Sequence, residues 1–194
     1  MLVLIAGLLI FLGIHSIRLF ADDWRSRQIA RLGAGRWKGL YTVASLVGFA
    51  LIVIGFGAAR AAPIVLWHPP RSMAHLAALL TLIAFILVVA AYIPGSHLKA
   101  RVGHPMLAGT KAWALGHLLA NGSLADVLLF GGFFAWSIAD FIASRRRDRA
   151  NGVQYVALGW QRDLAAVVVG AIIWVAFLHW GHAWLIGVNP EAML

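Results

Sequence analysis

The chain has 194 residues, of which 62% are hydrophobic and 12% charged, with a formal net charge of +9 and no cysteine. An ordinary soluble domain carries about 25% charged residues, so little of this chain can form a water-soluble domain. The lack of cysteine excludes disulfides, thiolate metal ligands and a cysteine nucleophile.

Apolar runs predict spans at 1–20, 39–60, 73–94, 104–120, 123–143 and 164–186. About 20 apolar residues are needed to cross roughly 30 Å of hydrocarbon. The runs lack the alternation of a membrane barrel, and backbone groups in lipid must pair internally, so the spans are read as helices. The fold class is therefore all-α, a polytopic transmembrane helical bundle forming one domain over 1–194. The first run lacks a basic leading segment and a clear small-residue cleavage site. It is read as the first helix and not as a secretion signal.

The connection after it carries Arg18, Arg25, Arg27, Arg31, Arg36 and Lys38, with Gly33-Ala34-Gly35 as a bend, and has room for a short surface helix. Between spans two and three, Pro63, Pro69 and Pro70 rule out continuous helix. Lys99, Arg101 and Lys111 mark the next connection and the fourth span. That span is the weakest by hydropathy, because it also holds His104 and His117. Along it Gly109, Ala112, Gly116 and Ala120 form a small-residue stripe, of the kind that lets a second backbone approach closely. Ala120-Asn121-Gly122-Ser123 is a tight turn, which makes spans four and five a hairpin. The connection 144–163 holds five more arginines, again with room for a short surface helix.

Six spans place fourteen of the 16 Lys and Arg on one side and Arg60 and Arg71 on the other. Dropping the fourth span would move the run at 145–149 to the wrong side. The positive-inside rule thus favours six spans with both termini non-cytoplasmic. The predicted location is a bacterial inner (cytoplasmic) membrane, multi-pass, with the bilayer itself as the first partner. The Arg145–Arg149 run is read as a collar meeting anionic headgroups, with no nucleic acid as partner. Trp37 and Trp160 fall near one interface and Trp67, Trp180 and Trp184 near the other, as in an aromatic belt. Trp113, Trp136 and Trp174 lie deeper, as core filler first and pocket walls second.

Polar side chains inside spans are costly and become site candidates. Of the eight histidines, His68 reads as a solvated loop residue. His179 and His182, three apart on the last helix, have a chelating spacing but need a third ligand. His15 and His117 lie within spans, where each needs a hydrogen-bond partner or a ligand. Two imidazoles from separate helices can clamp a haem; alternatively each ring donates to a neighbouring backbone carbonyl. A straight reading of the spans separates His15 and His117 by about 15 Å in depth. It brings His15 closer to His104 or His97.

The run Gly103-His104-Pro105-Met106-Leu107-Ala108-Gly109-Thr110-Lys111-Ala112-Trp113-Ala114-Leu115-Gly116-His117-Leu118-Leu119-Ala120-Asn121-Gly122 resembles the signature of the NnrU family of bacterial membrane proteins. His15-Ser16 followed by Arg18 resembles that family's opening motif, and the likeness covers nearly the whole chain. It implies an association with nitrite and nitric oxide metabolism in denitrifying bacteria. The family is also similar to the plant and cyanobacterial 15-cis-zeta-carotene isomerase, whose b-type haem is held by histidines. Carried over by motif, the metal ligands are His15 and His117, and the cofactor-binding set adds His104, Arg18, Lys111 and Trp113. Ala114 stands where the isomerase pattern has cysteine, which removes a thiolate ligand switch. A fainter similarity to membrane methyltransferases and sterol reductases would place Arg101, His104 and Lys111 at a cofactor's anionic end.

Three functions follow as alternatives. One is a haem b protein with redox or isomerase-like activity. Another is a non-enzymatic accessory protein for a nitrogen-oxide reductase complex. The last is a small-anion transporter, in which a homodimer would supply the missing inverted repeat.

Overall fold

In the computed structural model, which describes residues 1–193, most of the chain is helical. The helices are α1 (Leu2–His15), α2 (Ile17–Phe20), α3 (Asp22–Leu32), α4 (Ala34–Ala61), α5 (Ser72–Tyr92), α6 (His97–Val102), α7 (Pro105–Ala120), α8 (Leu124–Ala150), α9 (Trp160–Ala176) and α10 (His182–Ile186). A π-helical turn, Phe177–Gly181, joins α9 to α10, and a 3-10 turn, Pro190–Met193, follows. Among the described residues no strand forms; one isolated antiparallel bridge joins Val65 to Ser123.

Four helices are long and apolar enough to cross a membrane: α4, α5, α8 and the α9–α10 unit, Trp160–Ile186. Their outward faces hold large exposed apolar side chains, such as Leu46 at 62%, Ile54 at 63% and Ile172 at 62% exposure. Lipid is the solvent that makes such faces stable. The other two predicted spans are shorter. The first ends at His15 because the chain turns at Ser16 and restarts as α2, so α1 has 14 residues. The fourth, α7, has 16 and begins at Pro105, whose missing N–H suits the first helical turn. Both fall below the roughly 20 residues that span hydrocarbon unaided.

The helices pack in the lateral order α9, α5, α7, α8, α1, α4. Backbone approaches fix the direction of each pair. Gly7 faces Ile52, Gly48 faces Phe11 and Gly55 faces Leu4, a constant antiparallel register between α1 and α4. The small-residue stripe of α7 lies on α5, with Gly109 against Ala84 and Gly116 against Ala77, again antiparallel. Gly170 of α9 meets Ile86 of α5 in the same sense. On α8, Phe133 lies beside Phe11 and Trp136 beside His15, so α8 runs parallel to α1. Its contacts with α7, Trp113 to Phe130 and His104 to Asp148, run antiparallel.

Glycine is needed where α1 touches α4. A Cβ on Gly7 would stand 2.6 Å from the Ile52 backbone nitrogen, and one on Gly55 would overlap the backbone of Leu4. Gly55→Leu therefore has to push α1 away from α4, at a cost of about 1–3 kcal/mol or more for overpacking. Thermal melting in detergent is expected to show a clearly lowered midpoint, whereas Gly57→Leu, which faces open space, leaves it near the native value.

The two ends of the bundle differ. At one end the proline-rich connection is laced to the α7–α8 turn: Leu66 N and Trp67 N donate to the Gly122 carbonyl, and Leu124 N donates to that of Ile64. Ser123 and Asp126 form a reciprocal cap on α8, which engages one of the two carboxylates that lie within the predicted fifth span, 123–143. The other, Asp140, accepts from Ser144 and Arg147. At the opposite, basic end, α3 is the surface helix expected within 21–38. The connection expected at 144–163 is shorter, because α8 continues through the arginine run to Ala150. Basic side chains in a last turn suit the helix dipole, and Asp148 anchors that turn to its neighbours.

Candidate functional site: a basic-end cavity beside His15

At the basic end, α1, α4, α7 and α8 splay enough to leave a cavity of about 950 Å³. His15, Arg18, Tyr41, Trp37, His104, Trp136, Asp140 and Tyr155 line it, and Arg25, Lys38, Lys99 and Arg147 add positive charge. Apolar side chains such as Ile14, Met106 and Leu107 complete the lining. An amphipathic ligand with an acidic end is the kind of molecule that such a space accepts.

His15 is the last residue of α1, and its position there sets its chemistry. Its Nδ1 lies 2.6 Å from the Phe11 carbonyl oxygen one turn back. A carbonyl only accepts, so Nδ1 carries the proton and Nε2 keeps its lone pair. Phe11 stacks on the ring at 4.2 Å, while Tyr41 and Trp136 approach it edge-on. A bare imidazole nitrogen held this firmly is a good ligand for a metal centre.

His104 stands just before α7. Its Nε2 donates to Asp148 Oδ2 at 2.8 Å, and the Tyr155 hydroxyl donates to the same oxygen at 3.1 Å. Asp148 is buried, and Arg145 lies 3.8 Å from that oxygen. The carboxylate fixes the tautomer and orientation of His104, the arrangement common behind metal-bound histidines. Burial first, and then the Asp148 carboxylate, push the Tyr155 phenol above its ordinary value. The neutral phenol is the stabilised form, so this contribution is whole below pH ~10 and disappears as pH rises through the elevated value. Tyr155→Phe is accordingly expected to weaken the alkaline loss of stability, read as the midpoint difference between pH 8 and pH 11.

Trp136 contributes a different signal. Its Nε1 is buried and has no hydrogen-bond partner. An unpaired indole N–H is costly unless something supplies an acceptor. By contrast Trp174 donates to Thr81 Oγ1 at 3.0 Å, and Trp113 packs against Phe130 and Phe133 as core. The sequence offered no means of telling these three tryptophans apart.

Of the six residues expected at a site, His15, Arg18 and His104 line the cavity. Lys111 instead sits over the Phe141 ring, 3.6 Å from its centroid. Trp113 and His117 belong to a cluster nearer the other end. There the His117 Nδ1 donates to the Trp113 carbonyl at 2.9 Å and its ring stacks on Phe130. Phe130 and Trp136 are six residues apart on α8, so His117 and His15 differ by about 9 Å in depth. The rings of Phe11, Phe133 and Trp113 stand between them. The structure therefore does not bring His15 and His117 into one cavity. His97 is also engaged elsewhere, with Asp163 at 2.7 Å.

His179 pairs with Glu191 and not with His182, whose Nδ1 donates to the Val188 carbonyl. Among the described residues no three His, Asp or Glu side chains are grouped closely enough to hold a metal by themselves. Sequence reasoning missed Tyr41, Asp148 and Tyr155. Asp148 had one legible signal, as the single acid inside the run Arg145–Arg149.

No curated protein and no solved structure matches the chain. The family model described as NnrU protein matches residues 3–190, nearly all of the all-helical bundle and every residue around the cavity. This chain belongs to the NnrU family.

Proposed function

We propose that this protein is a six-span inner-membrane protein that binds one b-type haem in the basic-end cavity and serves nitrite and nitric oxide metabolism. The observation that carries the reading is the Nε2 of His15, lone pair bare, on the wall of a large cavity lined by both apolar and cationic side chains. The residues present fit the group. His15 would ligate the iron, and His104, backed by Asp148, stands on the same cavity as a second imidazole. Arg18, Arg25, Lys38 and Lys99 would meet the two propionates. The volume lies at the upper end of the range for ligand pockets, roughly 300–1,000 Å³.

Bound there, haem would supply one-electron chemistry and an iron site for a small ligand. The chain's own part is to hold His15 in one tautomer, neutralise the acidic edge and offer Trp136 Nε1 to an acceptor. Antiparallel packing of α1 and α7 between longer helices supports six crossings, although each is short. The nitrogen-oxide role rests on the family resemblance. The test is an absorption spectrum of the detergent-purified protein, with and without dithionite, after growth with ample haem. A Soret band near one equivalent supports the reading. A protein without the band that co-purifies with a reductase would favour the accessory role instead.

A further inference from the structure

At the end of the bundle opposite the cavity, a second pair of imidazoles is arranged with more care than packing requires. The rings of His117 on α7 and His182 on α10 have centroids 6.5 Å apart and planes within 12°. Each is oriented by backbone. His117 Nδ1 donates to the Trp113 carbonyl at 2.9 Å, and His182 Nδ1 donates to the Val188 carbonyl at 2.8 Å. Both rings therefore carry the proton on Nδ1 and keep a lone pair on Nε2. That tautomer is the one a metal needs, with the second nitrogen held by a carbonyl.

The chain departs from regular helix to place His182. The π-helical turn Phe177–Gly181 ends immediately before it, and such turns often mark functional sites. Gly187, in the left-handed region at φ 74°, then folds the chain back so that the Val188 carbonyl reaches the ring. Phe177 meets the His182 ring edge-on and Phe130 covers one face of His117, so apolar rings border the pair.

We infer that His117 and His182 form a binding site for a single monovalent copper ion. A metal about 2.0–2.1 Å from an imidazole nitrogen stands roughly 3.2 Å from that ring's centroid. Two rings sharing one ion in near-linear fashion thus have centroids about 6.4 Å apart, a separation that the 6.5 Å between these near-parallel rings admits. The donor count selects the metal. Zinc wants four ligands and magnesium wants oxygen, and the carboxylate of Asp126, which faces His117, is engaged by Ser123 Oγ and its backbone N–H. A two-nitrogen site bordered by aromatic rings suits an ion that is content with two ligands, and imidazole is a good copper donor. This inference is independent of haem in the basic-end cavity, because the two sites share no residue.

The test uses the full chain in detergent under anaerobic ascorbate, with copper(I) titrated against a chromophoric copper(I) chelator. One equivalent is expected to be withheld from the chelator. X-ray absorption should then show two nitrogen neighbours. His182→Ala and His117→Gln are each expected to weaken retention by about 100-fold or more, the upper range seen when a metal site loses its support. Helix content and the elution volume of both variants would be measured alongside. His182→Ala lies near the end of the last helix and outside the buried core cluster, so it should preserve both. Failure to withhold copper in the native protein would overturn the site, as would native-like retention in either variant.

Discussion

His15→Ala is expected to abolish haem binding, whereas His117→Ala should keep a Soret band of nearly native intensity. The contrast follows from where α1 and α7 place the two rings. His15 presents its unprotonated Nε2 on the wall of the cavity, and no other bare imidazole nitrogen of α1 or α4 is available to replace it. His117 lies about 9 Å away in depth, behind Phe133 and Trp113, and is absent from the cavity lining. His104→Ala should have an intermediate effect. It would remove a second imidazole and leave Asp148 buried with Tyr155 and the more distant Arg145. The expected sign is a shift of the reduced α-band and a loss of low-spin character with haem still bound. Expression level and helix content have to match across the three variants. Equal loss in His15→Ala and His117→Ala would contradict the cavity as the haem site. It would favour the arrangement implied by motif alone.

The legible and illegible parts of this molecule divide along a physical line. Lengths of apolar runs, proline in the connection 61–72 and the stripe Gly109–Ala112–Gly116–Ala120 are local signals. They specify helices, a break and a contact face before any partner is known. The stripe does lie against α5, at Ala84 and Ala77. The end of α1 at His15 was hidden, since hydropathy carries on through Ile17, Leu19 and Phe20 and nothing in it marks the turn at Ser16. The cavity was hidden for a stronger reason. It is made by residues from separate helices, and only the lateral order of those helices brings Tyr41 and Trp136 beside His15. Spacing along one helix cannot reveal an order between helices. The same limit applies to His182, which reads as the partner of His179 three residues away. A π turn and a left-handed glycine direct it to α7.

The topology gives an all-or-none expectation, and the absence of native cysteine makes it clean to measure. Single cysteines at Leu66, at Arg27 and at Arg146 report the two ends of the bundle. Leu66 is exposed in the connection that hydrogen-bonds to the α7–α8 turn, so it shares a side with Gly122. Arg27 and Arg146 lie at the basic end, on α3 and in the last turns of α8. A membrane-impermeant maleimide added to intact spheroplasts should label Leu66→Cys strongly. It should label Arg27→Cys and Arg146→Cys only after the membrane is permeabilised. The physical argument is that 14 of the 16 Lys and Arg fall on the basic side only when α7 crosses, and translocating such segments is disfavoured. Short crossings are tolerable where long neighbours shield them and the bilayer thins slightly, at fractions of a kcal/mol per Å of mismatch. α7 has that shelter, with α5 on one side and α8 on the other. Labelling of Arg146→Cys from outside would mean that α7 dips in and returns. The haem cavity, its cationic side chains and the copper site would then all have to be reassigned between the two faces of the membrane.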